Sequence, residues 1–265
     1  MAKTSEILLQ YLEQRKKRGD RFIRFSSVAD FSKITPNLSS MKKENSEKTH
    51  HEHLSENDKK KKLEHLKNIA LVCQKCPHLV RSRTQVVFGI GNIDAQLMLV
   101  GEAPGADEDR LGEPFVGRAG QLLNKMLEAM DLSRDEVYIS NVLKCRPDMP
   151  PGAPGNRKPT IEEMNTCLPY LKEQIELIQP KAIIALGATA VTGLLGVEAP
   201  IGKLRGHWLQ FQDIPVMPTY HPAYLLRNQS NTEKRKVWED LLMVMEKMEM
   251  PISEKQRNYF LNANR

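Results

Sequence analysis

What this chain of 265 residues lacks narrows its nature first. Cysteine is scarce: Cys73, Cys76, Cys145 and Cys167 are the only four, too few and too widely spread for a secreted disulfide scaffold. Long apolar runs are missing, so nothing in the sequence is built to span a bilayer. Ile7-Leu8-Leu9 is too short for a signal-peptide core, and the chain reads as soluble and cytoplasmic. Neither G-x-G-x-x-G after the first strand nor G-x-x-x-x-G-K-S/T occurs, which weighs against a nucleotide-binding enzyme of the doubly wound type.

What is present is basic. Lys and Arg number 39 against 33 Asp and Glu, giving a formal charge of +6 and a surface that favours polyanions. The excess is uneven, with a pure lysine run from Lys59 to Lys62 preceded by His50, His51 and His53. The sequence divides accordingly. Ile7, Leu8, Tyr11 and Leu12 form the stripe of a short N-terminal helix within residues 1–19. Residues 20–64 lack sustained periodicity and are read as a charged linker without persistent structure, its histidines solvated. A domain follows over 65–248, opened by a helix from about Lys62, and a tail over 249–265 carries no signal.

The domain is organised around Leu97-Met98-Leu99-Val100-Gly101-Glu102-Ala103-Pro104-Gly105. A short, continuous apolar run bounded by breakers suits a strand buried on both faces. Val86 to Phe88, Val137 to Asn141, Ala182 to Leu186 and Ile214 to Met217 read as further strands, the last pairing with Trp208 to Phe211. Helical patterns separate them, notably Gln121 to Met130, the stretch opened by the capping box Thr160 and Glu163, and Glu233 to Met248. Strands alternating with helices imply right-handed crossovers and a parallel sheet. Such sheets place ligands beyond the carboxyl ends of their strands. Four inner strands deliver Glu102, Asn141, Gly187 and His221 there, an acid, an amide, a turn glycine and an imidazole on one rim.

Each residue has an ordinary reading beside the functional one. Phe115, after Pro114 in a glycine-flanked loop, either stacks on a flat ligand or anchors the loop to the core. Asn141 stands where turns favour asparagine, yet its amide complements the N3–H and O4 edge of uracil and not that of cytosine. His221 is held between Tyr220 and Pro222 in a stiff loop suited to aiming an imidazole. Cys73-Gln74-Lys75-Cys76 points to a metal or a redox pair, and spacing leaves zinc and an iron–sulfur cluster both open.

Together, Gly101-Glu102-Ala103-Pro104-Gly105, Pro114-Phe115-Val116-Gly117, Asn141-Val142-Leu143-Lys144-Cys145, Leu186-Gly187-Ala188-Thr189-Ala190, Leu204-Arg205-Gly206 and Tyr220-His221-Pro222-Ala223-Tyr224-Leu225-Leu226-Arg227-Asn228 resemble the family 4 uracil-DNA glycosylases, over about residues 65–248. The resemblance implies a three-layer α/β sandwich with a central four-stranded parallel sheet between helices. It implies a 4Fe-4S cluster on Cys73, Cys76, Cys145 and Cys167. It implies uracil-containing DNA as substrate, with the base flipped into a pocket and its glycosidic bond hydrolysed to start base excision repair. Ala103, Phe115 and Asn141 would bind the base, His221 would stabilise charge growing on its O2, and Glu102 or Glu108 would serve the sugar and water side. Leu225 or Leu226 would wedge into the vacated stack. Arg110, Arg118, Lys203, Arg205 and Arg227 are phosphate-contact candidates. A variant of the family traps uracil through a histidine in an Arg-rich loop; residues 146–158 contain none, so ordinary turnover is expected. The rival reading is a non-catalytic cluster-containing DNA-binding protein associated with replication. A monomer is expected, with residues 1–64 available to a repair or replication partner.

Overall fold

The structure is a computed structural model that describes residues 55–150 and 155–261. The expected N-terminal helix and the first part of the linker, with any partner-binding role, lie outside the described residues.

Six strands form one sheet. They are β1 (Ile90–Gly91), β2 (Leu97–Gly101), β3 (Tyr138–Asn141), β4 (Ala182–Leu186), β5 (Leu209–Phe211) and β6 (Ile214–Thr219), in the spatial order β1-β3-β2-β4-β6-β5. The four inner strands are parallel, as expected. Every residue of β2, β3 and β4 is buried, which is why β2 and β4 are continuously apolar rather than alternating. Two short antiparallel edges complete the sheet, so it is mixed. The β5–β6 pairing matches the expected one; the β1 edge does not. Val86–Phe88 form no strand, because the carbonyl of Phe88 is taken by the side chains of Ser140 and Gln174. The edge is made instead by Ile90–Gly91, where the sequence suggests only a turn.

Helices enclose the sheet. They are α1 (Glu56–Leu71), α2 (Pro77–Ser82), α3 (Ala106–Leu111), α4 (Arg118–Ala129), α5 (Ile161–Ile178), α6 (Ala188–Leu195), α7 (Ile201–Leu204), α8 (Pro222–Arg227), α9 (Asn231–Lys247) and α10 (Glu254–Arg257). Leu97, Leu99, Ile139, Ile184 and Met217 face one core with Leu123 and Leu127 of α4 and Trp238, Leu241 and Met245 of α9. The alternate strand residues face the other way, where Gln174 of α5 bonds to Ser140 and Tyr138.

Two boundaries differ from those expected. Helix α1 starts at Glu56, inside the stretch read as linker, and absorbs the lysine run. Lysine is a good helix former, Glu56 and Asp58 favour the first turn, and Lys59 pairs with Asp94 at 2.7 Å. The C-terminal stretch also packs: buried Gln256 donates to the Ala129 carbonyl and to Asp131, while its own carbonyl accepts from the Trp238 indole. Glu136 accepts from the amide and the hydroxyl of Ser133, closing a turn before β3. Among the described residues no helix is long and apolar enough to cross a membrane.

Candidate active site

The carboxyl ends of β2, β3, β4 and β6 meet at one rim. Val142 and Leu143 donate their amides to the carbonyls of Gly101 and Glu102 at 3.0 Å, tying the end of β3 to the end of β2. Gly101 has to be glycine. A β-carbon there would lie 2.3 Å from Asn141 Oδ1 and 2.6 Å from the Phe115 ring. The missing side chain lets amide and ring approach one another over the strand end.

Asn141 is almost wholly buried, and its Oδ1 has no hydrogen-bond partner among the described residues. A buried amide oxygen left bare costs about 1–3 kcal/mol, a deficit that a ligand's N–H would remove. The backbone behind it is held firmly. Lys144 Nζ donates to the Asn141 carbonyl at 2.9 Å and to Gln174 Oε1 at 2.6 Å, and it also bonds Ser140. Burial lowers the Lys144 amine to a pKa of about 7. A lysine in the apolar run Val142-Leu143-Lys144 was the one available signal of this network.

Phe115 is buried with its backbone in the left-handed region at φ 54°, a conformation that costs a non-glycine residue about 1–2 kcal/mol. Its loop is clamped into that shape. Glu108 Oε1 accepts from the amides of Val116 and Gly117 at 3.0 Å, and Oε2 accepts from Gly105 at 3.1 Å. Arg134 donates to the carbonyls of Phe115 and Pro114, a contact that the sequence does not signal. Phe115 is therefore both loop anchor and site wall: its ring also stacks on His221, centroids 5.5 Å apart.

His221 caps α8. Its Nδ1 accepts from the Ala223 amide at 3.1 Å, which leaves the proton on Nε2. Burial, helped by Arg227, lowers its pKa to about 4, so the ring is neutral and Nε2–H is a donor. Gly187, at φ +96°, passes with its β-position 3.2 Å from the His221 Cβ, leaving little room for a side chain.

The two acids separate clearly. Glu102 is half-buried, and burial raises its pKa against a Thr189 hydrogen bond and the charge of Lys158. Glu108 holds three backbone amides and so positions the Phe115 loop. Ala103 lies half-buried between Glu102 and Pro104.

The DNA-side candidates differ in exposure. Arg205 pairs through two nitrogens with buried Asp240, at 3.0 and 2.9 Å, and also bonds the Lys236 carbonyl. Its Nε and Nη2 are turned inward onto these partners. Leu225 is buried in the core with Met217 and Trp238, whereas Leu226 is half-buried and Arg227 exposed. Arg110 is also exposed, in an ion pair with Asp107.

The four cysteines are free thiols that gather below this rim, near enough to perturb one another's ionisation. Burial raises Cys76 and Cys145 and pushes Cys167 up to about 12. Arg83 donates to Cys145 Sγ at 3.1 Å, and the Lys144 amide donates to Cys167 Sγ at 3.3 Å.

A stacking ring, a bare amide oxygen and a neutral imidazole donor on the rim of a parallel sheet define a protein that receives a flat, hydrogen-bonding ring. Comparison with known proteins agrees. Residues 88–242 match the uracil DNA glycosylase superfamily. The chain is 49% identical over 174 residues to a type-4 uracil-DNA glycosylase of Thermotoga maritima, covering 64% of this chain and 85% of the relative. It is 44% identical over 173 residues to one of Pyrobaculum aerophilum, covering 62% and 85%. It is 40% identical over 210 residues to one of Sulfurisphaera tokodaii, covering 76% and 91%. The chain belongs to the uracil DNA glycosylase superfamily, with type-4 enzymes among its relatives.

Proposed function

We propose that this protein excises uracil from DNA by hydrolysing the N-glycosidic bond of a flipped deoxyuridine, the first step of base excision repair. The unpartnered Oδ1 of buried Asn141 carries the reading: it is an acceptor prepared for the uracil N3–H, and the same amide's NH2 can donate to O4. Cytosine has no N3–H and presents an amino group at that edge, so one amide orientation discriminates the two. Phe115 covers the base face. As the bond breaks the base becomes an anion, and the Nε2–H of neutral His221 stabilises charge on O2 without a proton having to arrive. The sugar meanwhile gains oxocarbenium character. Glu102, ionised above its raised pKa, offers the negative charge that favours the cation and orients the attacking water. Leu226 fills the gap in the stack, and Arg227 holds phosphate.

The cysteines fit the iron–sulfur cluster that the resemblance implies. The donor set is four thiols and nothing else, the set such a cluster takes. Cys73, Cys76, Cys145 and Cys167 would hold it, and the two N–H···S bonds support thiolate character. When bound it supplies a rigid anchor joining the end of α1 to the loop after β3 and to α5. No chemical step runs through it.

The test is excision itself. A uracil-containing oligonucleotide incubated with the protein and then treated with alkali should break at the uracil, whereas its cytosine and thymine counterparts stay intact. DNA binding without an alkali-labile site would support the non-catalytic rival.

A further inference from the structure

Arg83 is the residue that the excision chemistry leaves unused. It caps the short helix α2, between the Cys73/Cys76 pair and the sheet. Its guanidinium is split between two of the cysteine segments, donating through one nitrogen to Cys145 Sγ at 3.1 Å and through the other to the Cys73 carbonyl at 2.7 Å. Among the described residues no carboxylate pairs with it, so its positive charge is directed at the sulfur. Planar guanidinium delivers two parallel bonds in a fixed fork, which a lysine ammonium cannot reproduce.

We propose that Arg83 sets the reduction potential of the metal centre by holding charge and an N–H donor on the Cys145 sulfur. This inference rests on the cluster reading above. The couple is one-electron, oxidised cluster plus an electron from an electrode giving the reduced cluster, with no proton or bond exchanged. The reduced form carries one more negative charge, spread over iron and sulfur. A fixed cation and N–H bond therefore stabilise it more than the oxidised form and raise the potential. The other direct hydrogen bond to a cysteine sulfur among the described residues comes from a neutral backbone amide, that of Lys144 to Cys167. Of the direct contacts to sulfur, Arg83 alone brings full charge.

The test uses full-length holoprotein, with iron and sulfide counted for each sample before an electrode titration. Arg83→Met should lower the ratio of reduced to oxidised cluster at fixed potential at least tenfold, about 59 mV for one electron. Arg83→Lys keeps the charge but loses the fork, and should fall between Met and wild type. If either variant retains full iron and sulfide with an unchanged potential, the inference is wrong. Should Arg83→Met lose its cluster, the Arg83→Lys titration still decides. Absence of iron from the wild type would instead overturn the cluster reading, a different and separately visible failure.

Discussion

His221 acts as a neutral donor because two neighbours decide its state: the Ala223 amide occupies Nδ1 and burial resists protonation. Removing it in His221→Ala should slow single-turnover excision by about 2–4 kcal/mol in barrier, the scale of losing one oriented donor to a developing oxyanion. The preference for uracil over cytosine should survive, because Asn141 sets it. The pH behaviour follows from the sign of the shift. The unfolded chain takes up this proton near the ordinary histidine pKa of about 6.5, the folded protein only near 4, so this group withdraws stability as pH falls between the two. Rate against pH should show no inflection near 6.5, and any inflection there assigned to His221 by its loss in the alanine variant would refute a neutral donor. Some of this was legible in the residues. An imidazole and an amide directly after apolar strands announce themselves by position. Glu102 and Glu108 look alike in a string of letters, and only the three amides around Glu108 tell them apart.

At the level of elements, the Phe115 loop and the α7–α9 contact show where side-chain direction defeats sequence reading. Glu108→Ala would release the amides of Gly105, Val116 and Gly117. Urea denaturation should show a loss of about 2 kcal/mol for a charged acceptor, and KM for a short uracil oligonucleotide should rise because Phe115 loses its enforced conformation. Wild-type stability in that variant would contradict the clamp. Arg205 is a phosphate-contact candidate in the sequence as a basic residue of the Leu204-Arg205-Gly206 motif. Its partner Asp240 lies 35 residues later on α9, and nothing local reveals the pairing. Arg205→Ala should therefore destabilise the fold by about 3 kcal/mol, leaving a buried carboxylate without its cation, while the salt dependence of DNA binding stays unchanged. Arg227→Ala should do the reverse, lowering the slope of log affinity against log salt by about 1 without a stability cost. A changed slope for Arg205→Ala would instead make it a DNA contact. The inner strands, by contrast, were plain, since short apolar runs ending in glycine or asparagine have few other homes. The β1 edge was not, because two residues carry no period.

Across the whole molecule, the cysteine cluster and the Asn141 rim share one segment: Asn141 ends β3 and Cys145 follows four residues later, with Lys144 bonded to both regions. Anaerobically purified protein should contain iron and sulfide and be brown. Stoichiometric zinc without iron would contradict the cluster. Cys145→Ala should lower thermal stability and iron content together, since it removes an anchor between α1, α5 and the β3 loop. The helix α1 and the packing around Gln256 widen the folded unit beyond the stretch that motifs alone mark out, because motifs report chemistry and these ends supply only burial.

The account stands or falls on the amide at the end of β3. Asn141→Asp keeps size while turning the donor side into a second acceptor facing uracil O4. The decisive measurement is single-turnover excision from matched uracil and cytosine oligonucleotides by wild type and Asn141→Asp. Uracil excision should fall steeply, by about 2–4 kcal/mol in barrier, and the ratio of uracil to cytosine rates should shrink. Full uracil activity in Asn141→Asp, with discrimination intact, would show that the base is read elsewhere.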